Sequence, residues 1–532
     1  MSDVINFFNT VKYLKFKQIY YRMFYLMRNK LIIKTYHFKV RDQLKPIIWE
    51  DILFNQRSFL DSNSFEFLNI KHRFNSQIDW NFEEFGKLWA FNINYFDFLN
   101  QENMTIERGV QLIKDYVVND KKLIDGKESY TISLRGINWI KFLSKHEIED
   151  QEINQTLFNH FQRLLRNLEL HLLGNHYLEN GFALLFGAYY FQDKKFYKKA
   201  KQILIEELNE QVLIDGGHFE LSPMYHQMML HRTLDCINLI KNNNWNQYDL
   251  LSFLESKSIL MLSWLQAVTF KNGNIPMVND STFDIAPTSK ELYQYAKSLG
   301  LVWNEGRLLD SGYRKIEKGI YELFMDVGEV GASYQPAHVH SDTFNFELYI
   351  KNEPFIVDRG ISTYEKNNLR REERGTSSHN TVQIGSIEQT NVWGGFRVAE
   401  RAKIIQRIEH ENKITASHNG YKKIGIIHKR IFMYNNNQII IEDNIFGETE
   451  LKKKAIFHFH PTIENLSLES NILRFNKKEI KMEFLGEIDK IETKSYYYNI
   501  GFNKSQKAFK VIVYFDKTLK TDIVLNEKDG YE

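Results

Sequence analysis

Three short stretches of this 532-residue chain carry side chains able to move a proton. Gly174-Asn175-His176-Tyr177 sets an amide beside an imidazole. Asp215-Gly216-Gly217-His218-Phe219-Glu220 leads through Ser222-Pro223-Met224 to a phenol, Tyr225. His338-Val339-His340-Ser341-Asp342 alternates two imidazoles and a carboxylate. Together these are the groups needed to take a carbon-bound proton next to a carboxylate, as at C5 of a uronic acid. That proton is barely acidic while the carboxylate keeps its full charge. Donors or cations that hold the carboxylate stabilise the enolate-like charge that develops. Asn175 and His176 suit that task. Tyr225 can serve as base and then as acid if its neighbours lower its pKa.

Read singly, each signal has a plainer meaning. Asn175 and His176 could open and cap a helix, and Tyr225 is one of 28 tyrosines. Asp215-Gly216-Gly217 is a tight turn that uses glycine freedom. It would bring His218, Glu220 and Tyr225 to a loop-rich face near the top of a helix. His338 and His340, two apart, project to one side of an extended segment. His340, Asp358 and His379 would supply two imidazoles and a carboxylate, a set that suits zinc or a hydrogen-bonded network. His458 and His460 lie in a strand with no carboxylate nearby and read as structural. Asp215 and Glu220 could alternatively be the carboxylate pair of a glycoside hydrolase.

The elements that must position these groups change character along the chain. From Trp80 to about Leu301 the pattern is helical. Leu157, Phe161, Leu164, Leu165, Leu168 and Leu172 recur at helical spacing, and Lys194–Leu208 has no breaker. Thr288-Ser289-Lys290-Glu291 offers a capping box, with Gly300 as the stop. This predicts a stack of helical hairpins. Beyond about Tyr313, Thr343–Ile350 alternates apolar and polar residues, and further strands are expected at Phe355–Val357, Gln438–Glu442, Ala455–Phe459 and Lys510–Phe515. The expected fold class is α+β and multidomain. Its parts are a basic, aromatic N-terminal segment (1–79) packed on the helices, a helical domain (80–312) and an antiparallel β-sandwich (313–532). No Ser/Gly/Pro-rich linker separates the last two, so close packing is expected.

At these residues the chain resembles the heparinase II/III family of polysaccharide lyases and its alginate-lyase relatives. The resemblance runs from roughly Leu88 to Pro461. It takes in Asn92–Asp97, Ser133–Trp139, Asn175-His176, Tyr225, Asn279-Asp280, His338-x-His340-x-Asp342, Asp358-Arg359-Gly360, His379–Val382 and Trp393–Phe396. It implies an incomplete (α/α) toroid followed by a β-sandwich, with β-elimination at a uronic acid between them. Tyr225 matches the catalytic tyrosine, Asn175 and His176 the carboxylate-neutralising pair, and His338 the catalytic histidine. His340, Asp358 and His379 match a structural zinc site of some members. Arg135, Trp139, Glu220 and Trp393 are candidate cleft residues. The implied partner is an acidic polysaccharide, with no organic cofactor. The basic N-terminal stretch is similar to that of relatives in exopolysaccharide or capsule systems, which points to a bacterial surface polysaccharide. A non-catalytic glycan-binding or assembly factor on the same fold is the competing class.

Bulk composition narrows the rest. A formal charge of +2 leaves no electrostatic footprint for nucleic acid. The single cysteine, Cys236, allows neither an intrachain disulfide nor a thiolate cluster. No segment is long and apolar enough to span a membrane. Met1 to Tyr36 has Lys12, Lys15, Lys17, Arg22, Arg28, Lys30 and Lys34 interrupting every apolar run, so no signal peptide is recognisable. The resemblance implies the periplasm or cell envelope; the sequence leaves the cytoplasm equally open. The stretch reads as a helix packed on the body through Tyr and Phe, or as an amphipathic helix on a membrane surface.

Overall fold

The computed structural model describes residues 2–31, 38–40, 44–246, 250–464, 466–475 and 480–525. Lys34, in the basic N-terminal stretch, lies outside the described residues.

Two N-terminal helices, α1 (Ser2–Val11) and α2 (Phe16–Leu31), precede a small three-stranded antiparallel sheet of β1 (Phe59–Asp61), β2 (Ser64–Phe67) and β3 (Ile70–Arg73). The helical region follows as α3 (Lys87–Tyr95), α4 (Ile106–Asn119), α5 (Ser129–Lys145), α6 (Gln151–Arg166), α7 (Gly174–Phe191), α8 (Lys194–Gln211), α9 (Pro223–Asn242), α10 (Leu251–Val268) and α11 (Ser289–Ser298). Polar caps start many of them, because first-turn N–H groups lack helical partners. Asp150 and Asp193 cap α6 and α8, and Ser222 caps α9 with Pro223 at its first position. The expected capping box of Thr288 and Glu291 opens α11.

One helical expectation fails in part. α6 stops at Arg166, and residues 167–173 form a loop. Of the last two residues of that series, Leu168 is nonetheless buried and Leu172 half-buried. Their spacing reports burial of the loop against the core rather than another helical turn. The loop delivers Glu169 to the start of α7, where it meets His176.

The β region opens with a four-stranded antiparallel sheet: β4 (Tyr313–Lys318), β5 (Tyr321–Asp326), β6 (Phe346–Ile350) and β7 (Glu353–Ile356). Next come the short α12 (Asn368–Glu373), β8 (Val382–Ile384), and a small hairpin of β9 (Val392–Trp393) and β10 (Arg397–Val398). Then follow β11 (Ile404–His410), β12 (Lys413–His418), β13 (Ile427–Asn435), β14 (Gln438–Phe446), β15 (Lys453–His458), β16 (Leu466–Glu469), β17 (Ile472–Phe475), β18 (Ile480–Gly501) and β19 (Lys504–Leu525). These form an antiparallel sheet in the order β11-β12-β13-β14-β19-β18-β17-β16, while β15 pairs with β19 and β8. Along β14, Ile439, Ile441 and Ile445 face inward by strand alternation. The same inner face carries Asp443, bound by Arg430 through Nε at 2.7 Å and Nη2 at 2.9 Å, and by His428 Nε2 at 2.7 Å. Arg430 also donates to the carbonyls of Phe344 and Asn380, at 2.8 and 2.7 Å, and so anchors the loops that present the β-side functional groups.

One apolar core joins the helices to β1–β3 and reaches Tyr313, Phe324 and Tyr349 of the first β sheet. Phe270 stacks on Tyr349 with centroids 3.7 Å apart. A second core fills the space between the two large sheets. The shared first core holds helices and sheet together without a linker, as expected from the absence of one.

Candidate active site

Three side chains from distant parts of the chain meet where helices and sheets join. Asn175 stands in the first turn of α7, directly after Leu173 and Gly174, both at positive φ (61° and 59°). A Cβ on Gly174 would lie 3.0 Å from Glu220 Oε1, so glycine permits the close approach of that carboxylate. Tyr225 lies in the first turn of α9, and His338 comes from the loop between β5 and β6. Leu221 (φ 55°) and Asn279 (φ 56°) are also held left-handed, each next to a site residue. Such backbone is costly for side chains with a Cβ and persists where surroundings enforce it. Asn279 shows the enforcement. Its Nδ2 donates to Leu221 O and Tyr313 Oη at 2.9 and 3.0 Å, and its Oδ1 accepts from His340 N at 2.9 Å.

The geometry is tight. The Tyr225 and His338 rings lie 3.9 Å apart between centroids. Asn175 Nδ2 donates to both Glu220 oxygens, at 3.0 and 2.9 Å, and lies 3.5 Å from His338 Nε2. Tyr225 Oη is 3.2 Å from Tyr364 Oη. His176, half-buried, is 2.9 Å from Glu169 through Nδ1, and its ring is 4.6 Å from that of Tyr130. Burial works against charge on His176. The Glu169 carboxylate outweighs it, helped by Glu220 and Glu128, and holds the imidazole above its ordinary value.

Behind His338 lies a buried polar cluster around Asp280. It accepts from His338 Nδ1 at 2.9 Å, from His340 Nε2 at 2.9 Å, and from both terminal nitrogens of Arg370 at 2.5 and 2.6 Å. Burial would raise the Asp280 carboxyl, but Arg370 and the two imidazole donors overcome it and hold it well below the carboxylate range. An ionised Asp280 takes a hydrogen bond from His338 Nδ1, so in the neutral ring the lone pair sits on Nε2, 3.5 Å from both Asn175 Nδ2 and Glu220 Oε2. Tyr225 has the opposite surroundings. Burial first, then Tyr364, Asp280 and Glu220, push its phenol well above the ordinary value. The expected pKa-lowering neighbours are not what the fold supplies.

Other expected residues fall elsewhere. Arg135 is buried, donating to the carbonyls of Asn94 and Gly126 and stacked over Tyr116 at 4.8 Å. Trp139 is buried against Phe96 and Tyr116. Both belong to the helical core rather than the cleft, because α5 is buried on every side from Thr131 to Ser144, which position in the motif could not tell. Trp393 turns to the N-terminal segment, donating to Thr10 Oγ1 at 3.0 Å. From the same motif it is Phe396 that reaches the site, 5.9 Å from the His338 ring and 5.1 Å from Tyr364. Asp215 accepts from Leu309 N, Ser311 N and Ser311 Oγ at 2.7 to 2.9 Å, so it orders a turn and is lost to a two-carboxylate hydrolase. His458 is buried against Asn380, as a structural residue would be.

The trio expected for zinc arranges as follows. Asp358 Oδ2 accepts from His379 Nδ1 at 2.7 Å and Asn345 Nδ2 at 2.6 Å, and its Oδ1 from Gly360 N at 3.0 Å. His340 Nδ1, His379 Nε2 and Asp342 Oδ2 are buried without hydrogen-bond partners. Donor types that zinc takes are present, yet among the described residues no three His, Cys, Asp or Glu form a group that could hold a metal ion.

Tyr364, Arg370, Tyr130 and Glu169 escaped the sequence reading. Arg370 lies in the charged run Arg370-Arg371-Glu372-Glu373-Arg374, of which the fold buries Arg370, Glu373 and Arg374. Only Asn279-Asp280 carried a signal, as a motif without a role.

Comparison with known proteins agrees with this architecture. The family described as heparinase II/III N-terminus matches residues 129–300, and that described as heparinase II/III-like, C-terminal, matches 303–526. A heparin-sulfate lyase of Bacteroides thetaiotaomicron is 24% identical over 300 residues, covering 48% of this chain and 41% of that protein. One from Bacteroides stercoris is 23% identical over 337 residues, covering 58% and 49%. The matched region thus spans less than half the length of these relatives. Among solved structures, heparinase III superposes with TM-score 0.64 at 17% identity, covering 86% of this chain and 81% of that one. A mutant heparan sulfate lyase from Pedobacter heparinus gives 0.59 at 16%, covering 88% and 82%. The fold is the toroid-plus-sandwich arrangement.

Proposed function

Because the chain belongs to the heparinase II/III family, we propose that it is a polysaccharide lyase, cleaving a uronic-acid-containing polysaccharide by β-elimination. The observation that carries this reading is the meeting of Asn175, Tyr225 and His338 at one point, with His176 close on α7. His176, biased toward its cation, and the Asn175 amide hold the uronate carboxylate. In the free protein that amide is occupied by Glu220, so substrate binding exchanges one carboxylate for another. His338 Nε2 takes the C5 proton; the C4–O bond breaks as the C4–C5 double bond forms. Tyr225, which keeps its proton in these surroundings, delivers it to the departing oxygen. The resemblance implies both proton transfers at Tyr225; in this proposal they are divided between phenol and imidazole, supported by the raised Tyr225 phenol. The basic N-terminal stretch favours a bacterial exopolysaccharide or capsule as the substrate. The test is to incubate purified protein with a panel of acidic polysaccharides and follow the ultraviolet absorbance of the unsaturated uronide. Saturated fragments, or no product from any member, would reject the reading.

The His176 shift gives a pH dependence. A histidine raised above its ordinary value of about 6.5 keeps its charge further into the neutral range. As pH climbs through that raised value the charge is lost, and KM for the uronate is expected to rise. In His176→Gln this alkaline limb should vanish and KM should be high throughout. An unchanged KM–pH profile in that variant would exclude His176 as the carboxylate clamp.

A further inference from the structure

The proposed chemistry leaves the two N-terminal helices unused, and α2 is built with its apolar side outward. At about 100° per residue, Phe16, Ile19, Tyr20, Met23, Phe24 and Met27 fall within an arc of about 140°. All six are exposed, Phe16 by 81% and Met23 by 59%. Rings of Phe16, Tyr20 and Phe24 line up along this face at 6.4 and 6.2 Å. The opposite side is tied to the body by polar bonds. Gln18 donates to Leu172 O at 3.0 Å, Tyr25 to Leu168 O at 2.6 Å, and Arg28 to Arg166 O at 2.6 Å. α1 repeats the pattern, with Val4, Ile5, Phe7 and Phe8 exposed while Asn6 and Thr10 bond to residues around the β9–β10 hairpin. The tyrosines Tyr21 and Tyr25 pack partly inward, as a helix docked on the body requires; the phenylalanines do not.

Charge selects the occupant. Residues 2–31 contain Lys12, Lys15, Lys17, Arg22, Arg28 and Lys30 against one acid, Asp3. Lys12, Arg22 and Lys30 are exposed. A second copy docking through the same face would set these cations against their own kind. No helix among the described residues is long and apolar enough to cross a membrane. An apolar face with a cation at its side, Arg22, and others at its ends, Lys12 before α2 and Lys30 in its last turn, is the arrangement that lies in a bilayer interface. We propose that α1 and α2 dock the protein on an anionic lipid bilayer, with Phe16, Met23 and Phe24 entering the acyl boundary and Lys12, Arg22 and Lys30 meeting headgroups. α2 is anchored on the loop 167–173 that also carries Glu169, the partner of His176. Docking therefore brings the candidate active site close to the lipid surface.

The test is cosedimentation of the full chain with phosphatidylcholine vesicles, with and without phosphatidylglycerol. Binding is expected only with phosphatidylglycerol and should weaken as salt rises. Phe16→Ser/Met23→Ser/Phe24→Ser should lower partitioning about 100-fold. Each of Lys12→Gln, Arg22→Gln and Lys30→Gln should lower it about fivefold. Circular dichroism melts should be unchanged, because these side chains are solvent-exposed. Failure to bind, equal binding to neutral vesicles, or binding indifferent to both substitution sets would overturn the proposal. So would loss of a dimer in the triple-serine protein, seen by light scattering without vesicle binding, which would give the face to a second copy. None of these outcomes depends on lyase turnover.

Discussion

Tyr225→Phe is expected to lower turnover by about 10²- to 10⁴-fold, the usual contribution of a positioned proton donor, while the protein stays folded. The substitution removes only the hydroxyl. Its one hydrogen-bond contact is to Tyr364 Oη at 3.2 Å, and the ring, stacked 3.9 Å from His338, remains. Losing one such bond costs about 1 kcal/mol, so the melting curve should move little. KM should also hold, because the phenol acts on the departing oxygen rather than on the carboxylate. Steady-state kinetics on the substrate found by the absorbance screen, beside a thermal melt, would check this. Turnover within a few-fold of the parent would take the acid role from Tyr225, with Tyr364 next in reach.

Asp280→Asn is expected to damage both chemistry and folding. An amide at this position can donate to His338 Nδ1 and so drive the proton onto Nε2, removing the lone pair that takes the C5 proton. Displacing a histidine from its working tautomer in this way costs about 10⁴-fold in a well-studied serine protease, and a loss of similar order is expected. The substitution also strips Arg370 of its carboxylate partner while its guanidinium stays buried. Breaking a buried pair from one side costs about 3–5 kcal/mol, so the denaturation midpoint should fall. The two effects separate experimentally, since turnover per folded molecule at low temperature reads only the first. A folded Asp280→Asn protein with near-parental turnover would refute the base assignment to His338.

Much of the site was legible because it depends on residue chemistry in ordered motifs. Asn175, His176, Tyr225 and His338 were named from the sequence, and Asp215-Gly216-Gly217 forms the tight turn expected, with Gly216 at φ 90°. Contacts made across long sequence separation were not legible. Arg370 drew no role from the sequence, yet it closes on Asp280, ninety residues earlier. Arg135 and Trp139 share a motif on α5, which packing buries on every side from Thr131 to Ser144, so neither reaches the cleft. Within the Trp393–Phe396 motif, hairpin geometry, not residue type, turns Trp393 to Thr10 and sets Phe396 beside His338.

By itself, the amino-acid order determined the local elements, the succession of a helical half and an antiparallel β half, and the family. Those follow from periodicity, capping and motif content, which are short-range properties. Tertiary structure alone decided the surroundings of the candidate groups. Burial beside Glu220 and Asp280 holds the Tyr225 phenol neutral, and Asp280 fixed by Arg370 orients His338. Electrostatic fields in a buried site come from residues scattered across the whole chain, so no local stretch can specify them.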